Sequence, residues 1–291
     1  MTPPNATDKT GGGSVGERSQ QTDRQRAAVG LARAFAGAII FALPLLMTME
    51  MWWLGFYMDR LRLALLLLVM LPLLVGLSYH AGFEDSSSLR HNLLSAGVAM
   101  AVGFIAAAVV LVLLAIVTLD MPAHEIVGMI ALQAVPGSIG ALLARSQLGG
   151  PQAQEREQGR SARYGGELFL MAVGAIFLAF NMAPTEEMVL IAYKMTKWHA
   201  LALAVASLVM MHAFVYAVEF RGQAAIPSGI SMRSVFLRFT VVGYAIVLMI
   251  SLYVLWTFGR TDGLAVAEVV MTTVVLAFPA ALGASAARLI I

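Results

Sequence analysis

Eight stretches of this chain are each apolar for about 20 residues, the length a helix needs to cross a bilayer. They run over residues 34–57, 61–79, 93–119, 126–144, 168–193, 200–218, 235–258 and 264–290. The chain is 59% hydrophobic and 12% charged, whereas a soluble domain carries about 25% charged residues. Too little polar surface exists to cover such runs, so lipid must cover them. The expected fold class is therefore all-α: a polytopic membrane protein with eight transmembrane helices.

Residues 1–29 are polar and lack an apolar core, so they read as a disordered cytoplasmic tail and not as a cleaved leader. A first four-helix unit is expected over 30–148, a polar cytoplasmic linker over 149–165, and a second four-helix unit over 166–291. Basic residues set the direction. Lys9, Arg18, Arg24, Arg26, Arg33, Arg90, Arg145, Arg156, Arg160, Arg163, Arg221, Arg233, Arg238 and Arg288 fall on one side. Only Arg60, Arg62, Lys194, Lys197 and Arg260 fall on the other. The bias places both termini in the cytoplasm of a multi-pass protein. It also explains a pI near 9.0 without nucleic acid as a partner, because the bases sit in loops.

Sliding the chain on itself by 137 residues superposes Gly37 on Gly174, Thr48 on Thr185, Glu50 on Glu187, Met51 on Met188 and Tyr79 on Tyr216. A longer loop in the second half then moves the offset to 143, where Glu125 meets Glu268, Pro136 meets Pro279, Gly140 meets Gly283 and Arg145 meets Arg288. Each unit has an even number of spans. The two copies are thus expected to be parallel repeats around a pseudo-twofold axis along the membrane normal.

Within the apolar runs, the duplicated positions Glu50 and Glu187 carry the chemistry. Read as part of unbroken helices, they lie roughly 10–13 Å below the outer surface at about 1.5 Å per residue. There the helix dipole gives them no support, and a charge costs about 2.5–3.5 kcal/mol. Each must be protonated, paired or facing water or a cation. Pro44 and Pro184 in the same spans remove hydrogen bonds to Ile40 and Phe180 and act as helix breaks. Freed carbonyls beside carboxylates and the hydroxyls of Thr48 and Thr185 are ligands that hard cations and protons use. Glu186 adds a third carboxylate, and Asn181 belongs to the same polar stretch.

Secondary candidates are Glu125 and Glu268 at the starts of spans four and eight, and His212 in span six. The first two also fit plain stabilisation by a helix N-terminus, and a lone histidine also fits a packing role. Cysteine is absent, which excludes disulfides, thiolate catalysis and Cys-ligated metals. No phosphate loop, nucleophile elbow or histidine–metal spacing appears, and the last span has no lysine for a retinal. No cofactor and no enzymatic activity are expected, and the identity of any bound metal stays open.

Three segments carry a resemblance: Phe41 to Tyr57 (FALPLLMTMEMWWLGFY), Ala131 to Ala141 (ALQAVPGSIGA) and Ala183 to Met188 (APTEEM). They resemble a bacterial family of integral membrane proteins of unknown function, and the similarity runs through nearly everything after residue 30. It implies a polytopic inner-membrane protein encoded beside a second small membrane protein. The family is described with seven spans, one fewer than are read here. Two functions follow. One is a cation channel or proton-coupled cation transporter using the paired intramembrane glutamates. The alternative is a non-transporting scaffold or sensor that assembles with a partner membrane protein.

Overall fold

The computed structural model describes residues 12–81, 88–147, 164–217 and 236–290, all of them in helices or short connections. The helices are α1 (Gly12–Leu46), α2 (Met49–Tyr57), α3 (Arg60–Ala81), α4 (Leu89–Leu113) and α5 (Ala123–Gln147) in the first half. The second half has α6 (Tyr164–Met182), α7 (Glu187–Lys194), α8 (Lys197–Ala217), α9 (Val242–Thr257) and α10 (Val266–Ile290). A single wider π-helical segment, Phe236–Val241, leads into α9. Eight of the described helical stretches are long and apolar enough to cross a membrane, so the protein is an all-helical membrane protein.

Two expectations need correction. The first and fifth spans are not continuous: α1 stops at Leu46 and α2 starts at Met49, and α6 stops at Met182 and α7 starts at Glu187. The cause is local. Pro44 sits in the last turn of α1 and Pro184 in the link after α6, and neither can supply the N–H that would carry the ladder forward. The tail is the second correction. Residues 12–29, expected to be disordered, are helical. They include three Arg and three Gln, and they extend a helix already nucleated by a span, so they add turns without a new nucleation cost. Residues 1–11 and most of the 149–165 linker lie outside the described residues.

Each half is built around its last helix. Helix α5 packs against α1, α2, α3 and α4, and α10 packs against α6, α7, α8 and α9. Residues 131–142 of α5 are buried on every side. Glycines permit this. A Cβ on Gly37 would collide with Gly140 O and the Ala144 methyl, and one on Gly174 with Gly283 O and the Ala287 methyl. A Cβ on Gly140 would run into Gly37 O and Phe41, and one on Gly283 into Gly174 O and Leu178. Both halves thus use one backbone-to-backbone contact of the kind that holds helices together in lipid, where hydrophobic driving force is absent.

The halves meet along α3, α6 and α9. His80 stacks on Phe169 with ring centroids 5.2 Å apart, and Phe41 meets Phe177 edge-on at 5.3 Å. Between them lies an apolar cavity of about 180 Å³, lined by residues that include Met70, Ile176, Phe180 and Tyr253. At one end Arg62 of α3 grips the α9–α10 connection. It donates to both Asp262 carboxylate oxygens (2.8 and 2.9 Å) and to Trp256 O (2.9 Å), and its guanidinium lies 5.0 Å from the Trp256 ring centre. A bidentate pair with a cation–π contact at a partly exposed site contributes about 1–2 kcal/mol.

The glycine contacts give a direct test. Gly174→Ala and Gly283→Ala should each lower the unfolding temperature in detergent, by a loss of about 1–3 kcal/mol typical of overpacking. Gly97 has open space around it, so Gly97→Ala should cost nothing; equal losses at all three would contradict this packing.

Candidate functional site

The two helix breaks share a backbone pattern. In the first, the Thr48 N–H and hydroxyl both donate to Leu45 O, at 3.1 and 2.8 Å. In the second, the Thr185 N–H and hydroxyl both donate to Met182 O, at 3.3 and 2.9 Å. A threonine that turns its side chain back on the last helical carbonyls offers the chain an alternative to the next helical turn. The chain then restarts, and the restart changes the standing of the glutamates. Glu50 lies in the first turn of α2 and Glu187 in the first turn of α7. Both were expected in the C-terminal half of a helix. They instead sit where unpaired N–H groups favour negative charge.

Beyond this pattern the breaks differ. The first is covered by apolar groups: Ala42, Leu46, Leu111, Val117 and Met129 form a buried cluster against which Trp52, Ile116 and Met121 pack. The Trp52 indole N–H donates to Leu46 O at 2.7 Å, so one broken carbonyl is satisfied from within. Glu50 is half-buried, and among the described residues no hydrogen bond or ion pair reaches it.

The second break is filled by a cation. Arg260 donates to Pro184 O and reaches Glu186 Oε1 at 3.5 Å. Its side chain is 13% exposed, that of Glu186 86%. Glu187, the next residue, is exposed. Asn181 donates to Phe177 O at 2.7 Å, one turn before the break.

Local sequence fixes where Arg260 points. Helix α9 ends on Gly259 in the left-handed region (φ 71°), and the Arg260 N–H returns to Leu255 O at 2.9 Å. This is a helix-ending turn that glycine permits. Phe258 packs edge-on against Phe180 at 5.1 Å, which sets the turn beside the break. The first half ends α4 with the same turn: Ala115 takes a φ of 54°, and the Ile116 N–H bonds to Leu111 O at 3.0 Å. Ile116 therefore stands at the position in the turn that Arg260 takes in the second half. One break receives a guanidinium and the other a hydrocarbon.

Helix α2 packs on α5 and α7 on α10, and among the described residues no hydrogen bond joins Glu50 to Glu187. Among the described residues no group of three or more His, Asp or Glu side chains comes together as a metal cage. The secondary candidates lie elsewhere. Glu268 accepts the Ala265 N–H at 3.1 Å and so caps α10, and Glu125 occupies the first turn of α5, 4.0 Å from His124. His212 Nδ1 bonds the Thr240 hydroxyl at 3.1 Å and meets Phe236 edge-on, away from both breaks.

Sequence reasoning missed Arg260, which reads as one more loop base, and Gln133, which lies fully buried in α5 with neither side-chain polar atom partnered. A primary amide inside the most buried run is the signal that could have found the second.

Residues 30–291 match the sequence model of a family described as "Putative integral membrane protein (DUF2391)". The chain belongs to this family. No curated protein and no solved structure matches it.

Arg260 can be tested apart from its ion pair. Arg260→Met removes the donor to a buried carbonyl and should cost about 1–3 kcal/mol in thermal unfolding. Glu186→Gln removes an exposed partner and should cost less than about 0.5 kcal/mol. Equal losses would mean that the ion pair, not the carbonyl, holds the arginine.

Proposed function

We propose that the protein transports a small cation or protons across a bacterial cytoplasmic membrane, with both termini in the cytoplasm and with Glu50 as the group that binds the cargo. The observation that carries this reading is the interruption of a spanning helix immediately before a half-buried carboxylate without a counter-charge. A helix that has found a lipid-crossing length keeps its ladder unless something compensates the freed backbone. Interrupted helices in both halves of a duplicated protein are a common way for secondary transporters to build an ion site near the membrane midplane.

The halves are read as parallel copies that have diverged. In the second, Arg260 is a cation that the protein itself supplies, tethered over Pro184 O and beside Glu186 and Glu187. In the first, no such group reaches Glu50 among the described residues, which leaves the carboxylate for a cation from solution. This replaces a facing pair of glutamates with two unlike sites, one occupied and one for cargo. Thr48 supports Glu50, and Thr185, Asn181 and Glu186 support the structural site.

Flux of alkali cations and protons into proteoliposomes tests the assignment. Glu50→Gln should reduce flux by at least about tenfold, since it removes the charge that the described residues place at the first break. Glu187→Gln should leave most of it. Transport at the wild-type rate in Glu50→Gln would overturn the reading. A protein with no flux that copurifies from native membranes with a stoichiometric small membrane protein would favour the scaffold alternative.

A further inference from the structure

Gln133 points to the composition of the first site. It is 0% exposed, and neither its amide nitrogen nor its amide oxygen has a partner. A primary amide brings two donors and an acceptor, and buried polar groups left unpaired are rare enough in folded proteins that each needs an explanation. Leu276, which the 143-residue offset places at this position in the second half, is equally buried and has no such need.

Helical register shows what Gln133 faces. On α5, Met129 meets Gly55 of α2, and Gly140 meets Gly37 and Phe41 of α1. Gln133 is one turn beyond Met129 and two turns before Gly140, so it shares their face. It therefore lies between the point where α5 meets α1 and the point where it meets α2. That interval contains the end of α1, with Pro44 and the break at residues 47–48. The Ile40 carbonyl, deprived of its donor by Pro44, belongs to the same turn. Glu50 begins the next helix.

We infer that Gln133 is a ligand of a monovalent alkali cation held at the first break, with Glu50 supplying the charge and Thr48 and the freed Ile40 carbonyl supplying further oxygens. This rests on reading that break as the cargo site. All of these donors are hard oxygens, the ligand type of alkali and alkaline-earth ions. Charge selects between those two classes. One carboxylate neutralises one positive charge, and a divalent ion would leave a net charge inside the bilayer that no described residue answers. The amide oxygen of Gln133 turns to the ion, and its N–H groups are left for a carboxylate or carbonyl oxygen. In the second half Leu276 stands where an ion ligand is not required, because Arg260 brings its own charge.

Thermal unfolding of the full chain in nanodiscs tests the site. Na⁺ or K⁺ is titrated against N-methylglucamine at constant ionic strength. The wild type should show a saturable rise in unfolding temperature with one of the two ions. Gln133→Leu and Glu50→Gln should each weaken its apparent affinity by at least about tenfold. Gln133→Met, of similar shape and without polar atoms, serves if the leucine variant does not fold. A wild-type response in the Gln133 variants overturns the assignment, as does a wild type that no alkali ion stabilises. Stabilisation by acid alone, the same in every cation, assigns the site to a proton and also overturns it. Flux separates the two claims. Saturable binding that Gln133→Leu abolishes, in a protein without flux, leaves this site standing and ends the transport reading. Flux with binding unchanged in Gln133→Leu does the reverse.

Discussion

In a bilayer every backbone N–H and carbonyl must find a partner inside the protein or in trapped water, because hydrocarbon offers none. That constraint makes a broken spanning helix expensive, and this protein breaks two. Each break is compensated in part by its own chain: Thr48 and Trp52 in the first, Thr185 in the second. What remains is met differently. Arg260 closes the second break from a neighbouring loop. The first has an apolar cover, a half-buried carboxylate and a buried amide with nothing to bond. One difference between the halves lies at a single position in a helix-ending turn, Arg260 against Ile116.

The surrounding architecture holds these breaks in place. The close approach of α5 to α1 and of α10 to α6 depends on glycines whose backbones touch, and the short helices after the breaks lie on those same central helices. The α9–α10 connection carries Arg260 and, two residues later, Asp262, which Arg62 of the other half grips. One short loop therefore seals a break in its own half and ties the halves together.

Much of this could be read in the chain before any coordinates. The number of spans follows from run length alone. Glu50, Glu187, Pro44, Pro184, Thr48 and Thr185 were singled out because polar and helix-breaking residues in apolar runs need a reason, and all six lie at or within one turn of the breaks. The breaks themselves were not foreseen as full interruptions. Long apolar runs flank 47–48 and 183–186 on both sides, and a proline in such a run can kink a helix without ending it; only the structure shows that the chain restarts. The dipole argument against the glutamates failed for the same reason. Arg260 was illegible because its role depends on a long-range contact with Pro184, and loop arginines ordinarily report only orientation. The helical start of α1 was hidden by polar composition, which signals disorder unless an adjoining span has already nucleated the helix.

The central proposal is that water and a cation reach the first break, whereas Arg260 occupies the second. The chain has no cysteine, so single cysteines report cleanly. Gln133→Cys and Leu276→Cys can be compared for reaction with a small hydrophilic thiosulfonate in native membranes. The account expects Gln133→Cys to react, with Leu276→Cys inert. Equal inertness at both positions would show a dry first break and contradict the account.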